Sequence, residues 1–109
     1  MGQYLYLFGG RDLNDTVVSI VDRYDTIANT WDNPLPLLPI PLSDGGAFTS
    51  IYNETYIYLV GGYDQLYHSK SDVWVVDTST HTYTNTSVPD MQLSRGDVAV
   101  VQVNGESCM

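Results

Sequence analysis

Apolar residues along this chain come in short bursts, each about the length of a β-strand and each closed by residues that favour turns. Tyr4 to Phe8 is apolar at every position and stops at Gly9-Gly10; Tyr56 to Val60 does the same and stops at Gly61-Gly62. A short run without in/out alternation, bounded by glycines, reads as a strand covered on both faces. Further β-branched and aromatic segments fit between these runs. They are Ile20 to Asp25 and Val73 to Asp77, each ending in Asp-Thr; Asn29 to Asp32 and His81 to Asn85; Gly46 to Tyr52, closed by Asn53-Glu54; and Val98 to Val103, closed by Asn104-Gly105. No stretch has helical periodicity over a useful length. Asn33 to Pro41 carries Pro34, Pro36, Pro39 and Pro41, which forbid helix and central strand alike, so it is expected to be a loop. The pattern predicts an all-β chain.

The bursts repeat. Tyr4-Leu5-Tyr6-Leu7-Phe8-Gly9-Gly10 returns as Tyr56-Ile57-Tyr58-Leu59-Val60-Gly61-Gly62, an offset of 52 (56 − 4). At that offset Asp12 meets Asp64, Ser19 meets Ser71, Asp25-Thr26 meets Asp77-Thr78, and Asn33 meets Asn85. Further on, Ala47 meets Ala99 and Glu54 meets Glu106. Laying 4–57 over 56–109 gives 14 identities in 54 pairs, against about four for unrelated sequence of average composition. Such self-similarity marks a repeat architecture. Each unit holds four strands, a to d, with units at about 1–44 and 45–96 and a third begun at 97–109.

An apolar run into Gly9-Gly10, followed at fixed distance by Tyr24-Asp25 and Trp31, resembles the Kelch repeat. The resemblance covers essentially the whole chain and implies about two four-stranded antiparallel blades of a β-propeller. The second unit departs from it with Val76 at the place of Tyr24 and Tyr83 at the place of Trp31. At the inter-blade position where the family often has arginine, one copy has Arg95 and the other Ser43. On physical grounds Gly9, Gly10, Gly61 and Gly62 stand where φ is positive or where another group comes close. Trp31 and Tyr83 are expected to cover the glycine surface. Propellers close with about four to eight blades, so two open faces imply further blades in a longer protein. The lesser alternative is identical chains joined head to tail, three of them making six blades.

Composition narrows the partners. With 4 Lys+Arg against 13 Asp+Glu and a formal net charge of −9, the chain lacks the clustered cations a nucleic acid needs, and a partner with basic patches is favoured. No apolar run approaches the length of a membrane span. The one cysteine, Cys108, allows no internal disulfide. His68 and His81 are expected on opposite rims, which separates them as metal ligands, and no cofactor is expected. Sequons at Asn14, Asn53 and Asn85 suggest a secreted setting without deciding the compartment.

Antiparallel a-b-c-d order puts b–c and d–a loops on one rim and the short a–b and c–d turns on the other. Loops on a rigid scaffold carry binding residues, and the b–c loops are Arg11 to Thr16 and Tyr63 to Lys70. The candidate contact residues are Arg11, Asp12, Asn14, Asp64, Tyr67 and His68, with Arg95 added by the resemblance. The expected role is a non-catalytic module that binds or scaffolds a protein. The resemblance also admits the propeller part of a carbohydrate-active enzyme similar to galactose oxidase, and Tyr63 with Tyr67 admits a lectin-like sugar binder. No catalytic constellation is visible.

Overall fold

Seven antiparallel strands form in the computed structural model, which describes residues 3–32, 35–49, 53 and 55–101. β1 (Tyr4–Phe8), β2 (Val21–Asp25) and β3 (Thr30–Asp32) make one sheet in that order. β4 (Gly46–Thr49), β5 (Tyr56–Val60), β6 (Val73–Asp77) and β7 (Thr82–Thr84) make a second, also in chain order. No helix occurs among the described residues. The repeat holds residue by residue through strands b, c and d. Leu5 pairs with Tyr24 and Tyr24 with Trp31, as Ile57 pairs with Val76 and Val76 with Tyr83. These are two adjacent blades of a partial propeller.

Short-range chemistry explains the c–d turns. Asp25 Oδ1 accepts from the Ile27 and Ala28 N–H groups, and Asp77 Oδ1 accepts from the Ser79 N–H and hydroxyl. Those bonds hold both carboxyls below the usual carboxylate range: at Asp25 the Ala28 N–H contributes most, at Asp77 the Ser79 hydroxyl. Each turn closes through a left-handed residue, Asn29 (φ 59) or His81 (φ 56), whose N–H returns to the aspartate carbonyl.

The core lies between the sheets. Ile57, Leu59, Trp74 and Val76 on one face of the second sheet meet Val21, Tyr6 and Phe8 of the first. The proline-rich stretch, described from Leu35, is a loop as expected, yet it is not mere connection. Its prolines keep it extended, and Leu35, Leu38, Ile40 and Leu42 turn into the same core. The Leu38 N–H anchors it to Ser19 O at 2.8 Å.

Three expectations are corrected. The Gly-Gly doublets are not covered by Trp31 and Tyr83, which sit on the outermost strands beside Tyr24 and Val76, toward the other end of the sheet. A backbone covers them: a Cβ on Gly9 would run into the carbonyl oxygen of Leu42, and one on Gly61 into that of Arg95. Both glycines are left-handed (φ 62 and 65), and Gly10 and Gly62 donate to those same carbonyls at 2.8 and 2.9 Å. Trp31 packs on Tyr24 instead, at 5.0 Å between rings.

The repeat is also not gapless. Beyond strand d equivalent residues lie 53 apart: Leu42 O and Arg95 O play one role (95 − 42), as do the left-handed Asp44 and Asp97 (97 − 44). Leu38 and Met91 donate alike, to Ser19 O and Ser71 O. The second d–a loop is therefore one residue longer, Arg95 stands opposite Leu42 rather than Ser43, and Ala47 is not matched by Ala99.

Finally, Val98 to Val103 was expected as strand a of a third unit. Residues 98–101 form no strand, and 102–103 lie outside the described residues. A strand needs an edge to pair with, and here the side chains of Val98 and Val100 pack over Gly46.

Candidate functional site: the rim of the b–c loops

The two b–c loops share one backbone design built on an aspartate. Asp12 Oδ1 accepts from the Asn14 and Thr16 N–H groups at 2.9 and 3.0 Å; Asp64 Oδ1 accepts from Leu66 and His68, both at 2.9 Å. Asp15 (φ 61) and Tyr67 (φ 62) take the left-handed position. The loops thus differ in side chains and not in shape. Asp12 and Asp64 spend a carboxylate oxygen on organising the loop. The His68 N–H is the main reason the Asp64 carboxyl lies below the usual range, helped by the Leu66 N–H and by His68 and Lys70, whose Nδ1 and Nζ stand 3.4 and 3.6 Å from Oδ2.

The loops are joined across the blade boundary. Gln65 accepts from the Val17 N–H at 2.7 Å through Oε1 and donates from Nε2 to Asp15 O at 3.2 Å. Arg11 lies over the ring of Tyr67, 4.2 Å from its centroid, and pairs with Asp15 at 3.2 Å. Tyr63 meets Tyr67 edge-on at 6.0 Å. Its backbone pairs with Ser43, and its hydroxyl donates to Asp97 at 3.2 Å, which raises the Tyr63 pKa.

Of the candidate residues the structure therefore brings Arg11 and Tyr67 together, and Asp64 and His68. Asn14 is exposed within the first loop. Arg95 is exposed too, but its visible work is done by backbone, through Lys70 O and the Gly62 N–H. Gln65 was missed. It aligns with Leu13 in the other copy, so no repeated pattern points to it; what matters is its reach across the boundary, which depends on blade geometry. Tyr63 and Tyr67 do not form a flat platform, and Arg11 occupies one face of Tyr67.

His68 and His81 lie before and after β6, at opposite ends of the sheet. Among the described residues no group of three or more His, Cys, Asp or Glu could hold a metal ion, and no helix is long and apolar enough to cross a membrane. Asn14 and Asn53 are exposed, whereas the Asn85 amide donates to Asp72 at 3.2 Å. Cys108 lies outside the described residues.

Paired glycines under a neighbouring loop's carbonyl, and aspartate-centred turns in a b-c-d sheet order, define a repeat-built β-propeller. A family model for the Kelch motif matches residues 46–92, which span β4 to β7 and the start of the following loop. Beta-scruin of Limulus polyphemus is 37% identical over 62 residues, 57% of this chain and 6% of its own length. Kelch domain-containing protein 3 of Bos taurus is 30% identical over 81 residues, 73% of this chain and 21% of its own. An F-box/kelch-repeat protein of Arabidopsis thaliana is 31% identical over 96 residues, 88% of this chain and 25% of its own. The chain is a Kelch-repeat protein, and it spans a quarter or less of the length of these relatives.

Proposed function

We propose that this chain is a non-catalytic binding module that presents its b–c and d–a rim to a protein partner with a basic surface. The observation that carries this reading is the bracing of the rim: Gln65 and the Arg11–Tyr67 stack hold two loops as one surface, on which Asn14, Leu66, Tyr67 and His68 remain exposed. A pre-organised surface loses little entropy on binding. Asp12, Asp15, Asp44 and Asp97 on the same rim are exposed and would attract a cationic partner, speeding encounter in a salt-dependent way. Among the relatives, the F-box/kelch-repeat architecture is in keeping with a protein partner.

A phage-displayed random peptide library panned on the chain tests this. Lys- and Arg-rich peptides should be enriched, bind more weakly as salt rises, and lose about tenfold or more in affinity to the Tyr67→Ala, His68→Ala double variant. Thr80→Ala, on the opposite rim, should change nothing. Equal binding to all three proteins would move the site elsewhere.

A further inference from the structure

We propose that Leu66 and Tyr67, at the tip of the second b–c loop, form an apolar anchor that enters a cleft on a folded partner, lined by aliphatic or aromatic side chains and bordered by Lys or Arg. This rests on the reading above that a basic protein docks on this rim, and it names what that protein must offer beyond charge. Leu66 is 74% exposed and Tyr67 59%. Both positions stay open with a unit on either side. Leu66 and Tyr67 have the first unit beside them, in contact through Gln65 and Arg11. Their repeat equivalents, Asn14 and Asp15, have the second unit beside them and are exposed too. The exposure therefore belongs to the place in the blade, whichever neighbour it has.

The backbone holds this leucine out. Its N–H donates to Asp64 Oδ1 at 2.9 Å, the Tyr67 N–H donates to Asp64 O at 3.1 Å, and Tyr67 takes the left-handed position at φ 62. The residues on its two sides are each tied to the first unit: Gln65 through Val17 and Asp15, Tyr67 through the guanidinium of Arg11. With both neighbours pinned, the loop has no slack with which to bury the leucine against itself. A lone surface leucine is ordinary. One set beside an exposed aromatic on a pinned tip is ordered before contact and buries its area at little entropic cost. A loop tip is a knob, so the complementary surface is a cleft. Charge sets the border of that cleft. Arg11 is spent on Asp15 and Lys70 on Asp64; of the other exposed charges on the rim, Asp12, Asp44 and Asp97 outnumber Arg95, which favours Lys or Arg opposite them.

A phage-displayed library of three-helix domains, randomised across the groove between two helices and panned on the 109-residue chain, tests this. Enriched domains should carry Leu, Ile, Val or Phe in the groove and Lys or Arg at its edges. Leu66→Ser should bind them about 10- to 100-fold more weakly, the scale of one leucine left unburied. Its dependence on salt should match the wild type, because every carboxylate remains. Leu66→Met, which keeps the apolar surface, should recover most of the loss. Ile27→Ser removes a comparably exposed aliphatic side chain from the opposite rim and should change nothing. All three should keep their fold by circular dichroism, because both side chains are exposed. Domains that carry bases without apolar groove residues, and bind Leu66→Ser as tightly as the wild type, would overturn the anchor and leave the basic partner standing. Domains that need Leu66 but carry no Lys or Arg, and bind equally well in high salt, would overturn the basic partner and this proposal with it.

Discussion

Replacing Gly9 with alanine probes the feature on which blade packing turns. At φ 62 an alanine pays the left-handed backbone penalty, about 1–2 kcal/mol. Its Cβ also meets the Leu42 carbonyl oxygen, which is backbone and cannot rotate away. Moving that carbonyl weakens the Gly10 N–H bond of 2.8 Å, worth about 0.5–1.5 kcal/mol. The expected loss is about 1.5–3.5 kcal/mol, a large share of the roughly 5–15 kcal/mol that holds small domains together. In urea, with a slope of about 2 kcal/mol per molar, the midpoint should fall by about 1–2 M. The control is Gly9→Asn: asparagine tolerates the left-handed region, as Asn29 does in this chain, but keeps a Cβ. It should recover no more than about 1 kcal/mol. An asparagine variant with the wild-type midpoint would show that the carbonyl does not constrain this position.

Gln65→Ala leaves the N–H of Val17, a residue 5% exposed, without its partner; a cost of about 1–3 kcal/mol should appear with faster hydrogen exchange at Val17. Tyr83→Phe removes the bond to Pro36 O, and a loss of about 0.5–1.5 kcal/mol is expected by chemical denaturation. Acid should destabilise the chain. Asp25, Asp64 and Asp77 have lowered pKa values when folded, so as pH falls the unfolded chain takes up protons first. Their contribution is full above the ordinary carboxylate pKa of about 4 and drains away below it. Thermal melts from pH 6 to pH 2 should show that slope, reduced in Asp64→Ala; a flat profile would contradict the turn geometry.

Strands, turns and blade order were legible because each rests on local chemistry: apolar runs into Gly-Gly, and Asp-Thr turns whose carboxylates bond the next N–H groups. The loop phase was not. Over 34–57 the gapless alignment retains only Ala47 and Glu54 as identities, while the match that matters is apolar character, Leu35, Leu38, Ile40 against Val88, Met91, Leu93, which identity counting does not weigh. The covering of the glycines was misread because their neighbour is a carbonyl, and any residue carries one. At the rim, loop geography put Arg11, Asp64, Tyr67 and His68 in the b–c loops, and they lie there, between β1 and β2 and between β5 and β6. It could not show that Asp12 and Asp64 shape the backbone, nor that Gln65 spans the boundary, since both depend on where the second blade sits.

The extra residue between β7 and the Asp97 bend has a consequence for how such arrays drift. Side chains on an extended segment alternate, so an insertion passed into the next strand would turn its inward positions outward. Here the slack is absorbed before Met91, which already donates as Leu38 does, and the left-handed bend at Asp97 stands at the place of Asp44. The linkers between units thus act as length buffers: this one holds a residue more, and the anchor at Met91 and the bend at Asp97 keep their places.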